Sequence, residues 1–151
     1  MDVVKYYETA ERERWKERIK RSDWSAGAFL FSLLDGDKMK KLCGPSADVY
    51  LLTDGEELVS FAVLAEQDEV DAPELSPWIG FVYTFPRYRG RRCAGKLIER
   101  LCDIAKAGGA EKVYVSTDER GLYEKYGFSF FKTMTNRDGK PTGVYVRDLR
   151  G

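Results

Sequence analysis

The fold of this chain is decided by one stretch, Trp78-Ile79-Gly80-Phe81-Val82-Tyr83-Thr84-Phe85-Pro86-Arg87-Tyr88-Arg89-Gly90-Arg91-Arg92-Cys93-Ala94-Gly95. Residues 78–85 are almost continuously apolar, as in a central strand that is buried on both faces. A turn rich in arginine and glycine follows and leads into a helix. Backbone N–H groups at the start of a helix, together with guanidinium groups, hold phosphate well. The stretch therefore predicts a strand, a phosphate-binding turn at residues 86–95, and a helix.

The chain after this turn is predicted to alternate between helices and strands. The helix at 93–106 carries one apolar stripe with spacings of three and four residues, made by Ala94, Leu97, Ile98, Leu101, Cys102 and Ala105. Gly108 and Gly109 end this helix. We then predict a strand at 112–117, a short helix at 119–126, and strands at 128–135 and 144–146 joined by a turn at 136–140.

The chain before this stretch is predicted to be helical and then to form a hairpin. We predict a short strand at 3–6, an amphipathic helix at 8–21, and an apolar helical patch at 24–34. Strands at 49–53 and 58–66 flank Asp54-Gly55, a strong hairpin signal, and an acidic, proline-bearing loop occupies 67–77. The helical patch either walls a substrate pocket or only packs over the sheet.

These elements predict one α/β (α+β) domain with a mixed sheet of six to seven strands flanked by helices. We divide residues 1–151 into a helical N-terminal part (1–47), strands (48–85), a ligand-binding core (86–128) and C-terminal strands (129–151). A chain of 151 residues is long enough to bury one such core.

The composition excludes several classes of function. The 25 basic and 25 acidic residues cancel, which argues against a general nucleic-acid binder. The chain has no histidine, so mechanisms with a histidine base are excluded, and its three cysteines lack the spacing of a zinc site. We expect no metal, and buried, structural thiols at Cys93 and Cys102. No apolar run approaches the length of a membrane span, and we expect a cytoplasmic protein without a membrane partner.

The phosphate-binding turn matches neither common nucleotide motif. It lacks the G-x-x-x-x-G-K-[ST] and G-x-G-x-x-G spacings, so neither a P-loop nor a dinucleotide fold is supported. From the turn alone, a solvated basic loop is an equal alternative. A second segment, Gly121-Leu122-Tyr123-Glu124-Lys125-Tyr126-Gly127-Phe128, contains a phenol at Tyr123 that would be protonated at neutral pH. By itself this segment is more typical of core packing than of catalysis.

Together the two segments resemble the GNAT superfamily of acyl-CoA N-acyltransferases over about residues 78–131. In that family the phosphate loop usually reads Q/R-x-x-G-x-G/A. Arg89 occupies its first position and Ala94 its last, but Arg92 stands where the family usually has glycine. The departure implies either an altered loop geometry or a direct contact between Arg92 and phosphate.

The resemblance implies a binding site for acetyl-CoA. The backbone of Val82, Tyr83 and Thr84 would pair with the pantetheine arm, which would enter where this strand splays from the strand ending at Ser116. The pyrophosphate would be held at Arg89 and by the amides of Gly90, Arg91, Arg92, Cys93, Ala94 and Gly95. The family's usual asparagine after the second strand is absent, since the chain has Ser116-Thr117-Asp118 there.

The resemblance also implies a mechanism of direct attack. A primary amine, on a small molecule or a protein, would attack the thioester carbonyl, a backbone N–H near Tyr83 would stabilise the oxyanion, and Tyr123 would protonate the departing thiolate. The general base is left open among a water chain and four carboxylates, Glu66, Asp68, Glu69 and Asp118.

Two other functions are compatible with the sequence. One is a non-catalytic acyl-CoA-binding regulatory domain, and the other, less favoured, is an RNA- or anion-binding module that uses the arginine cluster. The sequence gives no choice between a monomer and a homodimer, and it does not identify the amine.

Overall fold

The computed structural model describes residues 1–150, which form one seven-stranded sheet in the order β1-β2-β3-β4-β5-β7-β6. The strands are β1 (Asp2–Lys5), β2 (Asp48–Asp54), β3 (Glu57–Ala65), β4 (Trp78–Thr84), β5 (Lys112–Thr117), β6 (Ser129–Thr135) and β7 (Pro141–Asp148). Only β4 and β5 are parallel neighbours; the other pairs are antiparallel. The predicted α/β fold with a mixed sheet is confirmed.

Helices cover both faces of the sheet. They are α1 (Arg12–Lys20), α2 (Ser25–Asp35), α3 (Met39–Cys43) and α4 (Cys93–Ala107), with 3-10 helices at Tyr6–Glu8, Pro86–Tyr88 and Tyr123–Tyr126. α1 and α2 bury Trp15, Ile19, Leu30 and Leu33 against one face. α4 buries Leu97, Ile98, Leu101 and Cys102 against the other, which confirms the apolar stripe read from the sequence.

The sheet divides into two arms between β4 and β5. These strands share a single register pair, Trp78 with Tyr114, and the Tyr114 amide donates to Pro77 O (3.0 Å). Beyond this pair the strands diverge, so the edge of β4 from Ile79 onward has no strand beside it. We call this opening the fork. Its position is the one implied by the family resemblance, at the ends of the strands that carry Thr84 and Ser116.

Several predicted element boundaries are wrong. The helix predicted at 8–21 begins only at Arg12, because residues Tyr6–Glu8 form a 3-10 turn instead. The helix predicted at 119–126 is only the 3-10 turn Tyr123–Tyr126, since Gly121 has a left-handed backbone (φ 86°) that interrupts it. The strand predicted at 144–146 extends over Pro141–Asp148, because β5 and β6 pair with it on both sides.

The thiols of Cys93 and Cys102 are buried as expected, and that of Cys43 is buried as well. Cys43, Cys93 and Cys102 are free and buried. Burial raises the pKa of the Cys43 and Cys102 thiols to about 11, so both stay protonated at neutral pH. A thiol in this state is a poor nucleophile, so these two cysteines pack the core.

Candidate active site

A bulge in β4 lies at the fork. Phe61 of β3 pairs with Tyr83, whereas Val63, two residues later, pairs with Gly80, three residues earlier. The extra residue on β4 leaves Phe81 and Val82 without partners of their own in β3, and Phe81 takes a left-handed backbone (φ 53°). A bulge re-aims backbone groups away from the ladder, and such strain in a bulky residue concentrates at functional sites.

The backbone of Thr84 also faces the fork. The Phe85 amide donates to Val59 O (3.0 Å), and backbone N–H groups alternate along a strand, so the Thr84 N–H points away from β3. The Thr84 carbonyl accepts a hydrogen bond from Arg89 Nε (3.0 Å). The open edge of β4 therefore offers an amide donor at Thr84, while its carbonyl is already engaged.

The phosphate-binding turn ends in an uncapped helix. The first bond of α4 runs from the Lys96 amide to Arg92 O (3.1 Å), which leaves the amides of Cys93, Ala94 and Gly95 without helical partners. No side chain caps them. With the positive end of the helix dipole, these donors form a site suited to an anion.

Arg92 preserves the loop geometry that glycine would give. It precedes α4 in the left-handed conformation (φ 60°, ψ 27°), which glycine adopts without strain and other residues adopt at a cost of about 1–2 kcal/mol. The unusual residue therefore leaves the turn in a conformation that suits glycine, and its side chain joins a cleft described below.

Replacing Arg92 by glycine is expected to stabilise the fold. Arg92→Gly removes the strain but adds freedom to the unfolded chain, so we expect the free energy of unfolding to rise by about 0.5–1 kcal/mol in urea titrations. Arg91→Gly is the control, because Arg91 has no positive φ and should lose stability instead. Equal effects of the two substitutions would contradict the assignment of strain to Arg92.

Three of the four clustered arginines lie over aromatic rings. The Arg87 and Arg91 guanidinium groups lie 5.5 and 5.9 Å from the ring centre of Tyr88, and Arg89 lies 5.5 Å from that of Tyr83. Such cation–π contacts hold the turn together. The arginine cluster at residues 87–92 therefore also has a structural role, which sequence spacing cannot reveal.

A basic cleft of about 840 Å³ opens beside the start of α4. It is lined by Arg92, Gly95, Lys96, Glu99, Lys125 and Tyr126. The Glu99 carboxylate is bound by Arg147 (2.6 Å), so the charge facing the cleft is mainly positive. Sequence reasoning missed Lys96 and Lys125, because only folding brings the turn at 123–126 next to α4.

Gly95 permits this close approach. A Cβ at position 95 would lie 2.8 Å from the Tyr126 ring, closer than real side chains come. The 3-10 turn Tyr123–Tyr126 therefore packs against the first turn of α4 at a position that only glycine fills without a shift. This contact links the two sequence segments that carried the family resemblance.

Tyr123 is buried in the core on the α4 face, where its cluster also contains Val82 of the bulge. Its ring lies edge-on to Tyr126 and Phe128, with centroid distances of 6.3 and 5.8 Å. Burial, and to a lesser extent the negative charge of Glu119, raises the pKa of the Tyr123 phenol above its usual value. The phenol therefore stays protonated throughout the neutral range.

Three of the four candidate carboxylates are poorly suited to act as a base. Glu66 is occupied by the Ser46 amide (3.1 Å) and hydroxyl, and it packs against Gly44. Glu69 accepts from the Asn136 side chain (3.3 Å) on the surface. Asp118 is exposed beyond the end of β5. The geometry leaves Asp68.

Asp68 is partly buried against β4. A Cβ at position 80 would collide with Asp68 Oδ1, so Gly80 provides the space that this carboxylate occupies. Burial raises the pKa of Asp68 to about 6, opposed by a hydrogen bond from the Glu69 backbone. Among residues 1–150, no lysine or arginine nitrogen forms a salt bridge with it.

The Asp68 segment is tied to the far arm of the sheet. The Arg137 amide donates to Glu69 O (2.8 Å), and Val70 forms an isolated bridge with Asn136 in the β6–β7 turn. The loop at 67–77 thus crosses from β3, beside β4, to the arm that contains β5. Side chains alternate along β4, and Ile79 faces α4, so Gly80 and Asp68 lie on the opposite face from Tyr123.

Two further observations concern the residues 1–150. No helix among them is long and apolar enough to cross a membrane. No group of three or more Cys, Asp or Glu side chains in this part of the chain is arranged to hold a metal ion.

Similar proteins share this architecture. In fold, the chain is similar to an aminoglycoside 6'-acetyltransferase type Ii (16% identity, TM-score 0.74, covering 100% of this chain and 99% of that chain). It is also similar to an aminoglycoside 6'-N-acetyltransferase complexed with coenzyme A (13%, TM-score 0.71, 100% and 98%). A third similar structure is a GNAT family acetyltransferase from Elizabethkingia anophelis with acetyl-CoA bound (16%, TM-score 0.68, 97% of each chain). None of the curated proteins compared with the chain matches it.

A sequence model described as the acetyltransferase (GNAT) family matches residues 5–128, which is most of the chain. The matched region contains the fork between β4 and β5, the uncapped start of α4 and the Tyr123 segment. The chain therefore belongs to the GNAT acetyltransferase family.

Proposed function

We propose that this protein transfers the acetyl group of acetyl-CoA to a primary amine. The observation that carries the proposal is the fork. A bulged, open-edged β4 leads directly to a helix start with three free amide donors, and a buried phenol and a half-buried carboxylate flank the opening from opposite faces. These parts match what acyl transfer from a thioester to an amine requires: binding, oxyanion stabilisation, an acid and a base.

The residues present fit acetyl-CoA. The amides from Gly90 to Gly95 would hold the pyrophosphate, and the edge of β4 at Val82, Tyr83 and Thr84 would pair with the pantetheine arm. Lys96 and Lys125 in the basic cleft add positive charge for a further phosphate. Acetyl-CoA supplies an acetyl group activated as a thioester.

The protein contributes three actions to the reaction. Asp68 binds the ammonium and takes a proton from it, so that the amine can attack the carbonyl carbon. Backbone N–H groups at the bulge, near Tyr83, donate to the carbonyl oxygen as negative charge develops there. Tyr123 donates its proton to the sulfur as the carbon–sulfur bond breaks. The attached nitrogen loses its second proton as this bond breaks, and one proton returns to the Tyr123 phenolate. The products are an amide, the free thiol and the one proton taken up by Asp68.

Binding and turnover can be tested separately. Acetyl-CoA at about 100 times its dissociation constant should raise the unfolding midpoint by about 5–10 °C. Release of CoA thiol should then appear with some amines of a panel. Stabilisation without thiol release for any amine would favour the non-catalytic acyl-CoA-binding domain. No stabilisation at millimolar acetyl-CoA would overturn the proposal, and steeply salt-dependent RNA binding would favour the nucleic-acid module.

Lys125→Ala and Lys96→Ala test the placement of the cofactor in the same assay. Each should weaken acetyl-CoA binding, because each removes a cation from the basic cleft. Lys112→Ala is the matched control, since Lys112 is an exposed lysine at the start of β5 outside the cleft.

A further inference from the structure

An exposed aromatic ring lies beside the fork, on the face that carries Asp68. Phe29 of α2 is 49% exposed, although α2 buries its three leucines, Leu30, Leu33 and Leu34. Its ring is stacked on that of Phe81, with centroids 6.2 Å apart and planes 29° from parallel. Phe81 packs against the α1–α2 core, which places this pair on the side of the sheet away from α4.

The aromatic pair is next to the carboxylate. Phe81 directly follows Gly80, the residue against which Asp68 packs, and consecutive Cα atoms are only about 3.8 Å apart. The bulge gives Phe81 its left-handed backbone. The bulged segment of β4 therefore has the Asp68 carboxylate packed against it at Gly80 and a flat apolar surface at the next residue.

The α2 wall offers little further negative charge. Its exposed positions are Ser25, Ala28, Phe29, Ser32 and Asp35. The only acid among them, Asp35, is paired with Lys16 (3.1 Å). In the loop at 67–77, Glu69 is hydrogen-bonded to Asn136, and Asp71 and Glu74 are exposed further along the loop than Asp68. α2 itself therefore adds no free carboxylate to the one at Asp68.

We propose that the acceptor is a monocationic primary amine on an aromatic body, with its ammonium at Asp68 and its ring against Phe29 and Phe81. This inference rests on the proposed function and specifies its substrate class. Aromatic stacking favours binding of a flat apolar group, and the Asp68 carboxylate can pair with one ammonium. A polycationic, polyhydroxylated amine would need several free carboxylates and hydrogen-bonding groups, which α2 does not present.

A matched pair of amines tests the proposal. 2-Phenylethylamine and ethylamine share the ammonium and the two-carbon chain, but only the first has a ring. We expect kcat/KM for 2-phenylethylamine to exceed that for ethylamine by about tenfold or more, and to exceed that for kanamycin, a polycationic amine. Phe29→Ala should abolish most of the advantage of the ring, through a higher KM, and leave ethylamine unaffected.

Phe130→Ala is the control variant. Phe130 is 56% exposed on the edge strand β6, where its ring contacts Tyr145 on the α4 face. We expect it to leave the ratio between the two amines unchanged. Because Phe29 is exposed, its alanine variant should fold, which the acetyl-CoA-induced rise in unfolding midpoint verifies.

The outcomes separate this inference from the proposed function. Preference for kanamycin, or an equal loss with both small amines in Phe29→Ala, would overturn the aromatic acceptor and leave acetyl transfer standing. Absence of thiol release with every amine, while acetyl-CoA still stabilises the protein, would overturn amine acetylation itself and this inference with it.

Discussion

Tyr123→Phe is expected to lower kcat by about 10²–10⁴-fold, because the proposed mechanism takes the proton for the departing thiolate from this phenol. The ring stays in place between Tyr126 and Phe128, so the fold should be unaffected. The affinity for acetyl-CoA should also be unchanged, since the phosphates are held elsewhere, at the start of α4. Steady-state thiol release and the acetyl-CoA-induced shift in unfolding midpoint measure the two effects.

Tyr126→Phe provides the matched control for this prediction. Tyr126 lies in the same 3-10 turn with its ring 6.3 Å from that of Tyr123, but it lines the basic cleft rather than the buried core. Loss of its hydroxyl should leave kcat within a few-fold of the wild-type value. If Tyr123→Phe retains full turnover, the phenol is not the acid.

Asp68→Asn is expected to lower kcat/KM by about 10²–10⁴-fold at pH 7, because it removes the carboxylate that we propose as the base without changing the shape of the side chain. In the wild type, kcat/KM should rise with pH through about 6, the pKa to which burial raises Asp68, as the carboxylate ionises. The variant should lack this ascending limb. If kcat/KM still rises with pH near 6 in Asp68→Asn, a group other than Asp68 is responsible for the rise.

The same substitution is expected to stabilise the fold at neutral pH. The pKa of Asp68 is raised in the folded state to about 6 from an ordinary value of 3.8, so the unfolded chain ionises first as pH rises. The contribution of Asp68 to stability is therefore fully present below about pH 3.8 and is lost as the pH rises from 3.8 to about 6. Asp68→Asn avoids this loss and should raise the free energy of unfolding at pH 7 by about 1–3 kcal/mol.

Two variants sharpen the interpretation of Asp68. Glu69→Gln removes the neighbouring, exposed carboxylate and should change the free energy of unfolding by less than about 0.5 kcal/mol, with little effect on rate. Gly80→Ala keeps the carboxylate but places a methyl group where it lies, so it should lower kcat/KM by displacing the base. A higher free energy of unfolding together with a lower kcat/KM in Asp68→Asn indicates that the carboxylate is functional rather than structural.

The preference for one acceptor amine over another would also distinguish this protein from the structures it is similar to. Two of those are aminoglycoside acetyltransferases, yet the α2 wall has one exposed acid, which is already paired. With 16% or less identity, the shared fold fixes the position of the fork but not the chemistry of the acceptor wall.

The sequence by itself determined the order of elements, the family and the position of the arginine- and glycine-rich turn before α4. These depend on local information: a continuous apolar run, an apolar stripe of helical period, glycines at turns, and two short motifs joined by elements of suitable length. The tertiary structure decided the remainder. The bulge that turns Phe81 outward depends on how β3 and β4 pair, and the burial that makes Asp68 the proposed base depends on its contact with Gly80. Lys125 reaches the cleft only because Tyr126 packs on Gly95. Each depends on contacts between residues far apart in the chain, which hydrophobic periodicity does not encode.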